Sequence, residues 1–101
     1  MTLEQATENI KSKIQMAPHI NAKVKFDFGD EGFIYIDSNE SPAEISNDSD
    51  SDPDVTLICS LETFHGFLGG TKDPNIAFMM GQLKVKGNMG LALKLNSILE
   101  D

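Results

Sequence analysis

Residues 73–99, DPNIAFMMGQLKVKGNMGLALKLNSIL, are the densest apolar stretch of the chain, and their punctuation fixes what they can fold into. Asp73-Pro74 reads as an N-cap followed by the first helical residue, since the carboxylate accepts from a free N–H and proline has none to lose there. Residues 76–80 then make a short helix, which Gly81 stops. Leu83-Lys84-Val85-Lys86 alternates as a strand, with Leu83 and Val85 inward. Gly87 turns the chain, Asn88 caps, and residues 89–99 form a further helix. On a wheel of about 100° per residue, Leu91, Ala92, Leu95, Ile98 and Leu99 fall together, with Met89 and Leu93 to one side. That apolar arc spans about 220°, against ~100° for a surface helix with one buried stripe. Such a helix must cover the core and, besides it, a partner or an apolar ligand.

The remainder of the chain reads as a helix followed by strands. Thr2-x-x-Gln5 is a capping box, and Leu3, Ala6, Ile10 and Ile14 then share one helical stripe. Pro18 ends that helix. Residues 20–28 alternate cleanly: Ile20, Ala22, Val24, Phe26 and Phe28 face one way, and Asn21, Lys23, Lys25 and Asp27 the other. Alternation of this length marks a strand with one solvated face. Residues 29–32 form a hairpin loop, and residues 33–37 return with Ile34 and Ile36 on one face and Phe33 and Tyr35 on the other. Residues 43–46 suit a short edge strand. Residues 55–60 are mostly apolar on both faces, as suits a central strand. Ser60 caps a helix bearing Leu61, Phe64, Phe67 and Leu68, and Gly69-Gly70 ends it. Strands with one solvated face, followed by helices, predict an α+β sheet covered on one side. With 101 residues the chain is one domain, residues 1–101.

Charge and composition exclude several classes. The net charge is −8, and all eight basic residues are lysines. A nucleic-acid binder needs a basic face, so no nucleic-acid partner is expected. Residues 27–62 hold eleven acids and no lysine. Within them Asp48-x-Asp50-x-Asp52 opens like a calcium loop, but Pro53 and Cys59 stand where glycine and glutamate belong. A solvated crossover loop is the better reading. Cys59 is alone, so no intrachain disulfide forms. His19 and His65 lack ligand partners at metal spacing, so no metal is expected. Ser60, His65 and Asp73 can be named as a triad, but capping already explains the serine. No catalytic residue and no cofactor is expected. The N-terminus lacks signal-peptide character and no apolar run approaches the ~20 residues of a membrane span, so a cytoplasmic location is expected.

The run Asp73-Pro74-x-x-Ala77-Phe78-x-x-Gly81-x-Leu83-Lys84-x-x-Gly87-Asn88-Met89-Gly90-Leu91-Ala92-x-Lys94-Leu95 closely resembles the C-terminal part of sterol-carrier-protein type two domains. The resemblance is strong over residues 64–95 and diffuse before them. It implies a five-stranded mixed, largely antiparallel sheet in the order 3-2-1-4-5. Helices packed on one face would enclose an apolar tunnel for a fatty acid, fatty acyl-CoA, phospholipid or sterol. It further implies a lipid carrier, read here as non-catalytic; the C-terminal helix is expected to close the tunnel, because chain ends are the cheapest parts to open, and transient membrane contact is a further option.

On that resemblance, Phe64, Phe67, Leu68, Phe78, Met79, Met80, Met89, Leu91, Leu95 and Leu99 are the candidate lipid-binding residues. Methionine is flexible and polarizable, and suits a wall that accepts varied shapes. Lys84, Lys86 and Lys94 are candidates for a polar head group. Pattern alone also allows all the apolar residues to be plain core. Two other readings stay open. One is an interaction or dimerisation module that uses the apolar C-terminal helix, the chain being either a monomer or a homodimer. The other is a small enzyme on an acyl thioester, with Cys59 or His65 as first suspects.

Overall fold

The N-terminal capping box forms as its spacing requires: Gln5 N–H donates to Thr2 Oγ1 at 3.2 Å and Thr2 N–H to Gln5 Oε1 at 3.0 Å. It starts helix α1, Leu3–Met16. The computed structural model describes residues 2–16, 21–39, 43–48 and 51–99. After α1 come β1 (Lys23–Asp27), a 3-10 turn (Gly29–Glu31), β2 (Phe33–Asp37), β3 (Glu44–Ser46) and β4 (Val55–Ile58). Then follow α2 (Leu61–Gly69), α3 (Pro74–Met79), β5 (Lys84–Gly87) and α4 (Met89–Leu99). The strand expected over residues 20–28 is shorter at its start, where Asn21 takes a left-handed φ of 57° that no strand continues. Ile20 and the helix stop at Pro18 lie outside the described residues.

The five strands among the described residues form one sheet in the order β3-β2-β1-β4-β5. β1 and β4 run parallel, and the other three pairings are antiparallel. A parallel neighbour needs a crossover, which the stretch between β2 and β4 supplies. Asp54, the last acid of that stretch, pins the sheet. Its N–H donates to Lys23 O at 2.8 Å, and its carboxylate accepts from Lys23 N–H at 2.8 Å. Its carbonyl accepts from Asn88 N–H at 3.0 Å. Ser38 ties β2 to the start of β1: its buried hydroxyl donates to Ala22 O at 2.7 Å and accepts from Ala22 N–H at 3.0 Å.

Alternation sorts the two sheet faces. Val24, Phe26, Ile34, Ile36, Val55 and Leu57 form a buried face. Ala6 and Ile10 of α1, Leu61, Phe64 and Phe67 of α2, Ala77 of α3, and Ala92, Leu95 and Leu99 of α4 join them in one cluster. All four helices among the described residues therefore serve one face. The opposite face carries Lys23, Lys25, Asp27, Thr56 and Ile58, half-buried, and Lys84 and Lys86, exposed. Tyr35 is only 4% exposed although it lies on this outer face. Beside it, Lys25 Nζ lies 4.5 Å from the centroid of the Phe33 ring.

Candidate functional site

The caps read from the sequence position the helices that bear the candidate residues. Ser60 Oγ accepts from Thr63 N–H at 3.0 Å and opens α2. Asp73 Oδ1 accepts from Asn75 N–H at 2.8 Å and opens α3, with Pro74 in its first turn. Asn88 Oδ1 accepts from Leu91 N–H at 3.2 Å at the start of α4. α4 packs against α1, α3, β4 and β5, and so closes one half of the sheet.

The ten apolar candidates separate into three groups. Phe64, Phe67, Leu95 and Leu99 are buried in the main cluster. The Phe64 ring meets Phe26 at 5.2 Å and Phe28 at 5.0 Å between centroids, both tilted. Leu68 and Leu91 are half-buried against that cluster. Phe78, Met79, Met80 and Met89 are exposed, and add no wall to it. α3 is held by its buried Pro74 and Ala77, which leaves Ile76 and the Phe78–Met80 end outward. Periodicity over six residues could not distinguish these faces.

The three head-group lysines are not brought together. Lys84 and Lys86 project from the outer face of β5, opposite the helices, while Lys94 lies exposed on α4. One polar residue that the sequence pattern missed sits at the α3–α4 junction. Asn96 is 6% exposed, and its Nδ2 donates to Asn75 Oδ1 at 3.3 Å. Its Oδ1 is buried with no partner among the described residues. Its place on the inward stripe of α4, between Leu95 and Leu99, was the available signal.

Ser60, the serine of the nameable triad, is held in a structural role. Besides capping α2, Ser60 Oγ donates to Thr63 Oγ1 at 3.0 Å. His65 is exposed on α2, and His19 lies outside the described residues. Among the described residues no group of three or more His, Cys, Asp or Glu side chains could hold a metal ion. Asp50 of the calcium-like spacing lies outside them. Cys59 is buried, and desolvation pushes its thiol from 9.0 up to about 12. The nucleophilic thiolate is therefore scarce at neutral pH. Between pH 9.0 and 12 the unfolded chain loses the Cys59 proton while the folded chain keeps it. Stability should fall there, by up to about 1.4 kcal/mol per pH unit. Urea melts of parent and Cys59→Val across that range check this: the variant should lack that component of the slope, and parallel curves would refute it.

Comparison with known proteins then places the chain. The sequence model of the SCP-2 sterol transfer family matches residues 3–100. The chain belongs to that family. Sterol carrier protein 2 of Rattus norvegicus is 34% identical over 70 residues, 69% of this chain and 13% of that protein. Hydroxysteroid dehydrogenase-like protein 2 of Bos taurus is 37% identical over 71 residues, 69% of this chain and 17% of that protein. The matched region is thus a small part of these longer relatives. Among solved structures, the sterol carrier protein domain 2 of Helicoverpa armigera superposes with a TM-score of 0.69 at 29% identity, over 96% of this chain and 79% of that one. The palmitated SCP2L2 of Aedes aegypti shares the fold, with a TM-score of 0.78 at 19% identity over 100% of this chain and 96% of that one. Membership in the SCP-2 family makes this a lipid-binding module of α+β architecture, as the residue 64–95 signature implied. No helix among the described residues is long and apolar enough to cross a membrane.

Proposed function

We propose that the domain is a non-catalytic carrier that holds the apolar part of one lipid between the sheet and α2 and α4. Phe64, Phe67, Leu95 and Leu99 form the inner wall, and Leu68 and Leu91 its margin. α4 is the movable side, since a helix at the margin of the sheet opens at less cost than the strands beneath it. The observation that carries the reading is the composition of the cluster beneath α2 and α4. It is aliphatic and aromatic from both sheet and helices, with the Asn75–Asn96 pair as the polar feature at its border.

Binding then needs burial alone. About ten buried methylenes gain roughly 8 kcal/mol, the scale of a micromolar complex before ordering costs. The ligand class is a fatty acid, fatty acyl-CoA, phospholipid or sterol, discriminated by the shape of the wall. Ligand at a hundredfold excess over Kd should add about 2.7 kcal/mol of stability. Native mass spectrometry of the purified protein, followed by thermal melting with each lipid class, tests the reading. A bound mass of lipid size with a raised Tm is expected. A ligand-free mass and an unmoved Tm with all four classes would overturn it.

A further inference from the structure

Six large apolar side chains point away from the core. Ile76 is 55% exposed, Phe78 44%, Met79 84%, Met80 69%, Met89 48% and Leu93 60%. They belong to one surface. Asn96 Nδ2 donates to Asn75 Oδ1 at 3.3 Å, which fixes α4 against α3 at this point. Ile76 follows Asn75, and Met79 stands one turn after it on the same side of α3. Leu93 stands one turn before Asn96, and Met89 one turn before Leu93. Their exposures amount to between three and four fully exposed side chains, or roughly 700 Å² at about 200 Å² each. The largest apolar patch on a typical monomer is about 300–600 Å².

The face is also free of charge. From Pro74 to Leu93 the sequence holds two ionisable side chains, Lys84 and Lys86. Both project from β5 on the outer side of the sheet, opposite the helices. Asp73 and Lys94, of opposite sign, bound the run at its two ends, and Asp73 is engaged as the cap of α3. A charge-free centre rich in methionine and phenylalanine, with charges at its margin, has the composition of the buried centre of a protein–protein contact.

We propose that this α3–α4 face is the contact through which two copies of the chain pair about a two-fold axis. Area favours a second copy. A stable interface takes about 800 Å² from each partner, and this face offers nearly all of it with the helices as they stand. A two-fold contact sets the same patch against itself, so it needs no complementary charge. A partner or surface held by charge would need ionisable groups here, and the face has none. Methionine side chains adapt to one another's shape, which suits a self-contact of Met79, Met80 and Met89. Long-range charge works against pairing, since each copy carries −8, and salt screens that repulsion. The contact therefore tightens with salt, opposite in sign to an attraction between unlike charges. The inference goes beyond the carrier reading and does not depend on it.

Sedimentation equilibrium from about 1 μM to about 500 μM protein tests it. The mass should rise from 11.1 kDa toward twice that value, with a dissociation constant that falls several-fold as sodium chloride is raised from about 0.02 M to about 0.5 M. Met79→Glu with Leu93→Glu should raise that constant by about a hundredfold or more, because the two-fold axis repeats each substitution. A urea melt of this double variant at the lowest protein concentration checks that it folds like the parent. Should it not, Met80→Glu alone should still weaken pairing by about tenfold. Lys84→Glu, on the outer sheet face, changes the net charge by the same amount as the double substitution. At high salt it should leave the constant within about twofold of the parent's. A mass that stays at 11.1 kDa throughout, a doubled mass that the double substitution leaves unchanged, or pairing that weakens with salt would each overturn the proposal. So would a chain that stays single yet binds phosphatidylcholine vesicles through Met79, which assigns the face to a bilayer.

Discussion

Phe64→Ala should cost about 3–5 kcal/mol of folding stability, the usual loss for deleting a fully buried aromatic ring. Phe64 is 0% exposed and stands on α2 over β1, its ring between those of Phe26 and Phe28. Removing it deletes apolar area and also the two tilted ring contacts, which add about 0.5–1.5 kcal/mol each beyond area. For a domain of this size each kcal/mol moves Tm by roughly 4–8 °C. Differential scanning calorimetry of parent and variant measures it. A drop equivalent to less than about 1 kcal/mol would mean that α2 is not anchored through this ring. The variant also bears on function. If Phe64 lines the lipid site, its removal enlarges that site, and a fatty acid filling the void should raise the Tm of Phe64→Ala by more than it raises that of the parent. An equal or smaller ligand shift would place Phe64 in the plain core, away from the lipid.

Much of the fold was legible because local chemistry and burial agreed. Asp73-Pro74, Ser60 and Asn88 each satisfy an otherwise free N–H, and each begins a helix where expected. The alternation of residues 22–28 survives as Ala22, Val24, Phe26 and Phe28 inward. The strand order is longer-range information, and it came from the family resemblance; no local pattern encodes which strand neighbours which. What stayed hidden depends on contacts between distant residues. Asp54 looked like one more solvated acid, yet it is bonded to Lys23 and Asn88. Tyr35 lies on the face opposite Ile34 and Ile36 and is buried all the same. Met79 and Met80 share composition with a core. They face out because Pro74 and Ala77 already occupy the inward side of a helix too short to bury both. The dense apolar segment thus divides between a buried wall and an outward face, a division its hydrophobicity alone does not mark.

Gly87→Ala should destabilise the protein by about 3 kcal/mol or more, well beyond the typical point mutation. Gly87 has φ 98°, a region that side-chain-bearing residues rarely adopt. A Cβ there would press on the backbone carbonyl oxygen of Asp54 and lie 3.2 Å from Val55 Cα. Neither can retreat. Val55 pairs with Gly87 across β4 and β5, and Asp54 is fixed by its bonds to Lys23 and Asn88. Gly66→Ala supplies the contrast. Its Cβ would meet Lys72 Cγ at 2.7 Å, but that atom belongs to a flexible side chain that can swing aside. Inside α2 alanine also gains up to ~1 kcal/mol in helix propensity, so Gly66→Ala should be close to neutral. Urea titrations of the two variants decide the matter, and equal losses would refute the backbone argument. The consequence for lipid follows from position. Gly87 is the turn from β5 into α4, so a displaced turn carries Leu95 and Leu99 with it. A Gly87→Ala protein that still folds at low temperature should therefore bind lipid less well than Gly66→Ala. Equal binding would show that the wall formed by α4 does not depend on how β5 delivers it.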